Sequence, residues 1–217
     1  MEKTVAHIWP ALLDGLTTTM TISLAALLLG APLALVLAAA GRGGRWARTL
    51  AGVYLSFWRG TPILVQLLIV FYILPFLGLE LEPVFAATVA LALNTAAFQS
   101  DIYRAGLQAI PKGEIEAAKM LGLSPRKIFL HIEVPQAFRT MLPALVGEMQ
   151  ALVKNSSLVS VIAVTDLTRR AQQVAASTFR PLEAYASALI LYVAIGVLLA
   201  GVGLLIERRL SHRSDGQ

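Results

Sequence analysis

The 217-residue sequence has no cysteine and only three histidines, His7, His131 and His212. Without cysteine there is no disulfide framework, no thiolate metal centre and no cysteine nucleophile. Three histidines so far apart also argue against a histidine-based metal site. Charge is equally scarce, at 14% of residues, where soluble domains carry about a quarter. What fills the space is apolar: 57% of residues are hydrophobic and the mean hydropathy is +0.70. One aqueous core in a chain of this length cannot absorb that much apolar surface, so the sequence directs the reading to a bilayer. The net charge of +5 would suggest nucleic acid in a soluble protein. Here the basic residues punctuate apolar runs and form no patch interleaved with aromatics, which argues against that partner.

Four uncharged stretches approach or exceed the ~20 residues a spanning helix needs: Gly15–Gly41, Gly60–Leu79, Pro83–Ser100 and Ala184–Ile206. The first lacks a basic leader and a well-placed small-residue cleavage site, so it reads as a span and not a signal peptide. Tilt or a kink at Pro32 would absorb its extra length. A fifth span runs from about Thr140 to Thr165, although Glu148 and Lys154 interrupt it. The distribution of Lys and Arg requires it. With five spans, Arg42, Arg45, Arg48, Arg59, the six bases from Arg104 to Arg139, and Arg208, Arg209 and Arg213 fall on one side. Those are thirteen of the eighteen bases, and only Lys3, Lys154, Arg169, Arg170 and Arg180 remain opposite. The positive-inside rule then places the N-terminus outside and the C-terminus in the cytoplasm. The expected fold is an all-α integral membrane protein: five transmembrane helices in one domain over 1–217, with a short cytoplasmic helix between the third and fourth.

That cytoplasmic segment, about 110–135, carries its own helix signals. Pro111 suits a first turn, and Glu114 and Glu116 suit the positive N-terminal end. Ala117 and Ala118 favour helix, and Gly122 supplies a stop. Ser124-Pro125 opens a second short helix, expected to end at Pro135. A charged helix with small alanines can dock in a groove on a cytoplasmic partner or lie at the lipid interface, and composition alone slightly favours the second.

Residue order shifts that balance. Glu116-Ala117-Ala118, three residues, Gly122, nine residues, then Ile132-x-Val134-Pro135 resembles the EAA motif of ABC importer permeases, with Val134 in place of the usual leucine. Arg59-Gly60-Thr61-Pro62, Leu93-Asn94-Thr95-Ala96-Ala97-Phe98 and Lys154-Asn155-Ser156-Ser157-Leu158 are similar to segments of the subfamily that imports polar amino acids. The resemblance runs from roughly Gly15 to Arg209. It implies a permease subunit paired with a second copy or a paralogue, two cytoplasmic ATPase subunits, and an external substrate-binding protein delivering an amino acid. It also implies that Glu114, Glu116, Ala117, Ala118 and Gly122 belong to a coupling helix, about Lys112–Leu121, that docks on an ATPase. ATP and Mg would sit on those partners, and no cofactor or metal is expected on this chain. Independently, the sequence has no G-x4-G-K-[ST] loop with which to cradle nucleotide phosphates. The expected location is the bacterial inner membrane.

Ionisable groups at membrane depth point to function by default. Asn94 on span three and Glu148 on span four fall near the midplane, where they could grip an amino acid's polar groups. Asn94 could instead hydrogen-bond a neighbouring helix, and Glu148 could pair with Lys154 or Arg104. Asp101 and Arg104 are spaced to form an ion pair near the cytoplasmic end, with a structural or gating role. Arg59 either snorkels beside a Gly-Pro kink or anchors an inner gate. Trp9, Trp46, Tyr54, Trp58 and Tyr185 read as interfacial belt residues. A secondary transporter is the main alternative, disfavoured by the lack of an internal repeat. An intramembrane enzyme lacks any obvious Ser–His pair.

Overall fold

The computed structural model describes the backbone of residues 2–211 and the side chains of residues 8–209. The Lys3 and His7 side chains, His212 and Arg213 lie outside the described residues. Every regular element among the described residues is helical. In chain order these are α1 (Glu2–Ala40), α2 (Arg45–Gly60), α3 (Ile63–Phe76), α4 (Pro83–Gln108), α5 (Lys112–Met120), α6 (Pro125–Ile128), α7 (Val134–Asn155), α8 (Leu167–Thr178) and α9 (Pro181–Ser211). Three stretches are long and apolar enough to cross a membrane: Ile8–Ala40, Pro83–Gln108 and Pro181–Arg209. Two bent pairs, α2 with α3 and the Pro125–Ile162 stretch with α8, raise the number to five if each pair is one span.

The bundle is organised around α4, whose most extensive partner is α1. Small side chains allow this approach: Ala86, Ala87, Ala90, Ala96 and Ala97 are all buried. At Gly30 the two backbones come so close that an added Cβ would lie 2.8 Å from the Ala92 carbonyl oxygen. Helix α1 starts well before the uncharged run and takes in Asp14. Its carboxylate pairs with Arg170 of α8. Pro32 sits inside α1 without ending it.

Two sequence expectations are corrected. The second span is not one helix over Gly60–Leu79: α2 and α3 meet at a 108° break at Thr61-Pro62. Proline disfavours helical geometry in the residue before it, and Thr61 is extended at φ −113°, ψ 149°. The helix after Ser124 does not end at Pro135. A π turn over Phe129–Glu133 carries it straight into α7, the wider turn accommodating a proline that lacks an N–H and crowds the preceding turn. Arg169 and Arg170, two of the five bases on the minority side, lie on α8, which Asp166 caps by accepting from the Thr168 and Arg169 amides at 3.2 and 2.9 Å. The proposed aromatic belt also divides. Trp46 is 82% exposed and Tyr185 is exposed, whereas Trp58 is buried in the core and the Tyr54 hydroxyl donates to the Leu93 carbonyl at 2.6 Å.

Helix α5 matches its expected range within a residue and ends as Gly122 predicts. Gly122 adopts φ +74°, its amide reaches the Lys119 carbonyl at 3.0 Å, and the Leu123 amide reaches Ala118 at 3.2 Å. That is a Schellman closure, which needs a left-handed residue at this position.

Candidate functional site: a polar seam in the bundle and an exposed helix at its end

The polar residues of α4 face two directions. On one face, Asn94 is 5% exposed, and its amide nitrogen donates to the Gln66 side-chain oxygen at 2.8 Å and the Trp58 carbonyl at 3.1 Å. Gln66 donates in turn to Trp58 O at 2.9 Å, Thr61 O at 3.1 Å and Thr61 Oγ1 at 2.7 Å. The reason is covalent. Residue 62 is proline and offers no N–H to the Trp58 carbonyl four residues back, so two carboxamides satisfy an acceptor that the helix itself cannot. Asn94 therefore clamps the α2–α3 break.

On the other face, Thr95 Oγ1 donates to Glu148 Oε1 at 2.7 Å. Gln99 donates to the Leu27 carbonyl at 3.1 Å and to Thr95 Oγ1 at 3.2 Å, and the Tyr103 hydroxyl donates to Gln99 Oε1 at 2.7 Å. The result is a directed chain, Tyr103 to Gln99 to Thr95 to Glu148, linking α4 to α1 and α7. Glu148 is half-buried, and neither Lys154 nor Arg104 pairs with it among the described residues. Its second oxygen makes no hydrogen bond there either, which leaves an anionic acceptor open.

Glu148 thus meets α4 on its Thr95 side, and Asn94, about 100° round the helix, turns its amide to Gln66 and Trp58. The carboxamide on the Glu148 side is Gln99, which the sequence reading did not single out; nor did it single out Thr95 or Gln66. A signal existed in each case: Thr95 and Gln99 are four apart on one helical face, and Gln66 follows Pro62 by one turn.

Nearer the Gln108 end of α4, Asp101 holds two guanidinium groups. Its carboxylate pairs with Arg104 on the same helix and with Arg59 at the end of α2. Arg59 therefore does more than snorkel: it ties the broken pair to α4 at a second point.

Helix α5 stands beyond this end of the bundle. Only Ala118 is buried; Glu114, Glu116 and Ala117 are exposed, and Met120 and Leu121 are 83% and 81% exposed. Gln136 of α7 donates to the Glu114 carboxylate at 2.5 Å. Between α5 and the start of α7 lies a cavity of about 500 Å³ bordered by Glu114, Ala118, His131 and Arg139. The glycine stop, the Ala118 contact and the Glu114–Gln136 bond present the Glu116 face to solvent.

Membrane-length helices around a polar seam, one broken at Pro62 and a short helix displayed at the end, define a membrane transport subunit. Residues 30–212 match the family described as binding-protein-dependent transport system inner membrane component, and the chain belongs to that family. It is 39% identical to the arginine transport system permease protein ArtQ of Bacillus subtilis (strain 168), over 93% of each chain. It is 35% identical to the glutamine transport system permease protein GlnP of Escherichia coli (strain K12), over 97% of this chain and 99% of that one. Among solved structures, one chain of an amino acid ABC transporter crystallised with histidines superposes with a TM-score of 0.87 at 32% identity, covering 94% of this chain and 96% of that one. The methionine ABC transporter MetNI shares the fold, at a TM-score of 0.73 and 20% identity, over 97% of this chain and 99% of that one.

Proposed function

We propose that this chain forms the translocation path of a binding-protein-dependent ABC importer for polar amino acids, and that Glu148 receives the substrate's cationic group. The observation that carries the substrate reading is the half-buried carboxylate of Glu148, oriented by Thr95 and without a protein cation. An unpaired carboxylate at membrane depth is costly. An ammonium or guanidinium arriving beside it supplies the missing partner, with Thr95 and Gln99 fixing the carboxylate's direction. The compounds carried by relatives, arginine, cystine, glutamine and octopine, are all polar amino-acid compounds.

Each bent pair counts as one span in this reading, giving five, with the N-terminus outside and the C-terminus in the cytoplasm. Two ATPase subunits carry ATP and Mg and dock on α5, one for each of two permease chains, and an external binding protein delivers the substrate. ATPase closure pushes α5, α5 moves α4 and α7 through the 500 Å³ corner, and the seam opens outward. Asn94 belongs in this reading to the structure of the break, and the Arg59–Asp101–Arg104 cluster to the inner closure.

Glu148→Gln in the assembled transporter, assayed for uptake of radiolabelled cationic and neutral amino acids, tests the assignment. Removing one partner of a charge-assisted contact costs about 2–5 kcal/mol, so uptake of the cationic substrate should fall by at least an order of magnitude at normal expression. An unchanged substrate profile would remove Glu148 from the site.

A further inference from the structure

Between Asp14 and Glu80 the chain contains no acidic residue, yet it places Arg42, Arg45 and Arg48 within seven positions at the corner joining α1 and α2. Arg42 and Arg45 have no carboxylate partner among the described residues, and Arg48 reaches only the Gly43 carbonyl, at 3.4 Å. The arginines sit at the wrong end of a helix. The N-terminus of α2 carries the positive end of the helix dipole, and no acidic residue or side-chain cap offsets it there. Nearby, Asp101 is shared between Arg59 and Arg104, so that cluster also has one cation in excess.

A second, independent observation is a cavity of about 480 Å³ between the ends of α1 and α4. Its walls are apolar, with Leu35, Ala39, Leu107 and Phe129, while Arg42 and Arg104 stand over them. Gly41 permits this, since a Cβ there would approach Arg104 Nη1 to 3.3 Å. A third is the form of α2 itself, which is bent 108° away from α3. Trp46, Leu50, Val53 and Phe57 recur at helical spacing and are all exposed, while Arg45, Arg48, Thr49 and Ser56 form a second exposed flank beside them. An exposed apolar stripe that ends in tryptophan beside the arginines of the corner faces lipid at the membrane boundary.

We propose that the α1–α2 corner and the groove beneath it bind an anionic phospholipid, its phosphate held by Arg42, Arg45 and Arg104 and an acyl chain lying along Leu35, Ala39, Leu107 and Phe129. A free phosphate would use the arginines but leave the apolar walls uncovered. A zwitterionic lipid would use the walls but bring no net charge to the uncompensated cluster. Only an anionic headgroup on a hydrocarbon chain matches both. Assignment to the cytoplasmic leaflet rests on the topology proposed above; the anion preference does not.

The test is native mass spectrometry of the full transporter complex in nonionic detergent, offered dioleoyl phosphatidylglycerol and dioleoyl phosphatidylcholine together. The wild type should retain the phosphatidylglycerol preferentially. Each of Arg42→Gln and Arg45→Gln should reduce that preference about fivefold, and Arg126→Gln, removing the same charge elsewhere, should not. Ala39→Trp, which fills the groove, should displace the lipid with all arginines in place. Equal retention of both lipids by the wild type, or arginine variants indistinguishable from it, would overturn the proposal. So would full displacement by millimolar inorganic phosphate, which would mark a free-anion site. An Ala39→Trp complex that loses its second permease copy but keeps its lipid would reassign the groove to a contact between copies, again overturning the proposal.

Discussion

At the scale of single residues, the informative groups are those whose hydrogen bonds repair something the backbone cannot do. Asn94 and Gln66 both satisfy the Trp58 carbonyl, which Pro62 leaves without an intrahelical donor. Asn94→Leu is nearly isosteric but removes the donor to Trp58 and to Gln66 together. A buried acceptor losing its partner costs about 1–3 kcal/mol, so the variant complex should melt at lower temperature in detergent with its ATPase contact intact. An unaltered melting curve together with lost uptake would instead place Asn94 on the substrate path. Glu148→Gln is predicted to show the reverse pattern: impaired uptake and little change in melting, because Thr95 Oγ1 can still donate to the amide oxygen. The sequence marks both residues as polar at membrane depth, and that much was legible. Their partners were not. A helical wheel gives directions around α4 but not which neighbour lies in each direction; Glu148 meets Thr95 and, through it, Gln99.

At the scale of elements, local chemistry was legible where it is self-contained. Helix α5 is bounded by a proline before its first turn and a left-handed glycine after its last, both visible in the sequence, and its range came out as expected. The α2–α3 break was visible only as a kink, because Gly60-Thr61-Pro62 signals a defect but not its angle, which Gln66, Asn94 and Arg59 fix from outside the segment. The π turn before α7 left no clear sequence signal at all. The difference between local and distant support separates two substitutions in α5. Glu116 is exposed and has no intramolecular partner among the described residues, so Glu116→Lys should leave folding unchanged and reduce substrate-stimulated ATP hydrolysis by reversing the charge offered to the ATPase. Gly122→Asp forces a side chain into φ +74°, a strain of about 1–2 kcal/mol, and loosens the turn that aims α5. Here uptake and α5 protection in hydrogen exchange should fall together. Normal coupled uptake by Glu116→Lys at wild-type expression would show that the exposed α5 face is not where the ATPase docks.

At the scale of the whole molecule, the open question is one of parity. The ends of α1 and α4 lie together around Gly41 and Arg104, and the sequence reading put both in the cytoplasm because five spans gather thirteen of eighteen bases on one side. If α2 and α3 instead dipped into the membrane and returned, the loop around Glu80 would stay on the side of Arg42. Helix α4 would then run the opposite way and carry α5 to the far side, separating two helix ends that the fold holds together. Packing therefore favours α2–α3 as a true crossing, even though α3 has only 14 residues and spans about 21 Å by itself. The absence of cysteine makes this directly measurable, since single cysteines can be introduced with no background to remove. In intact cells, Glu80→Cys and Arg169→Cys should react with a membrane-impermeant maleimide, whereas Arg45→Cys and Ser124→Cys should react only after the membrane is opened. Labelling of Glu80→Cys and Ser124→Cys from the same side would break the parity and, with it, the assignment of α5 to the face where ATP is available.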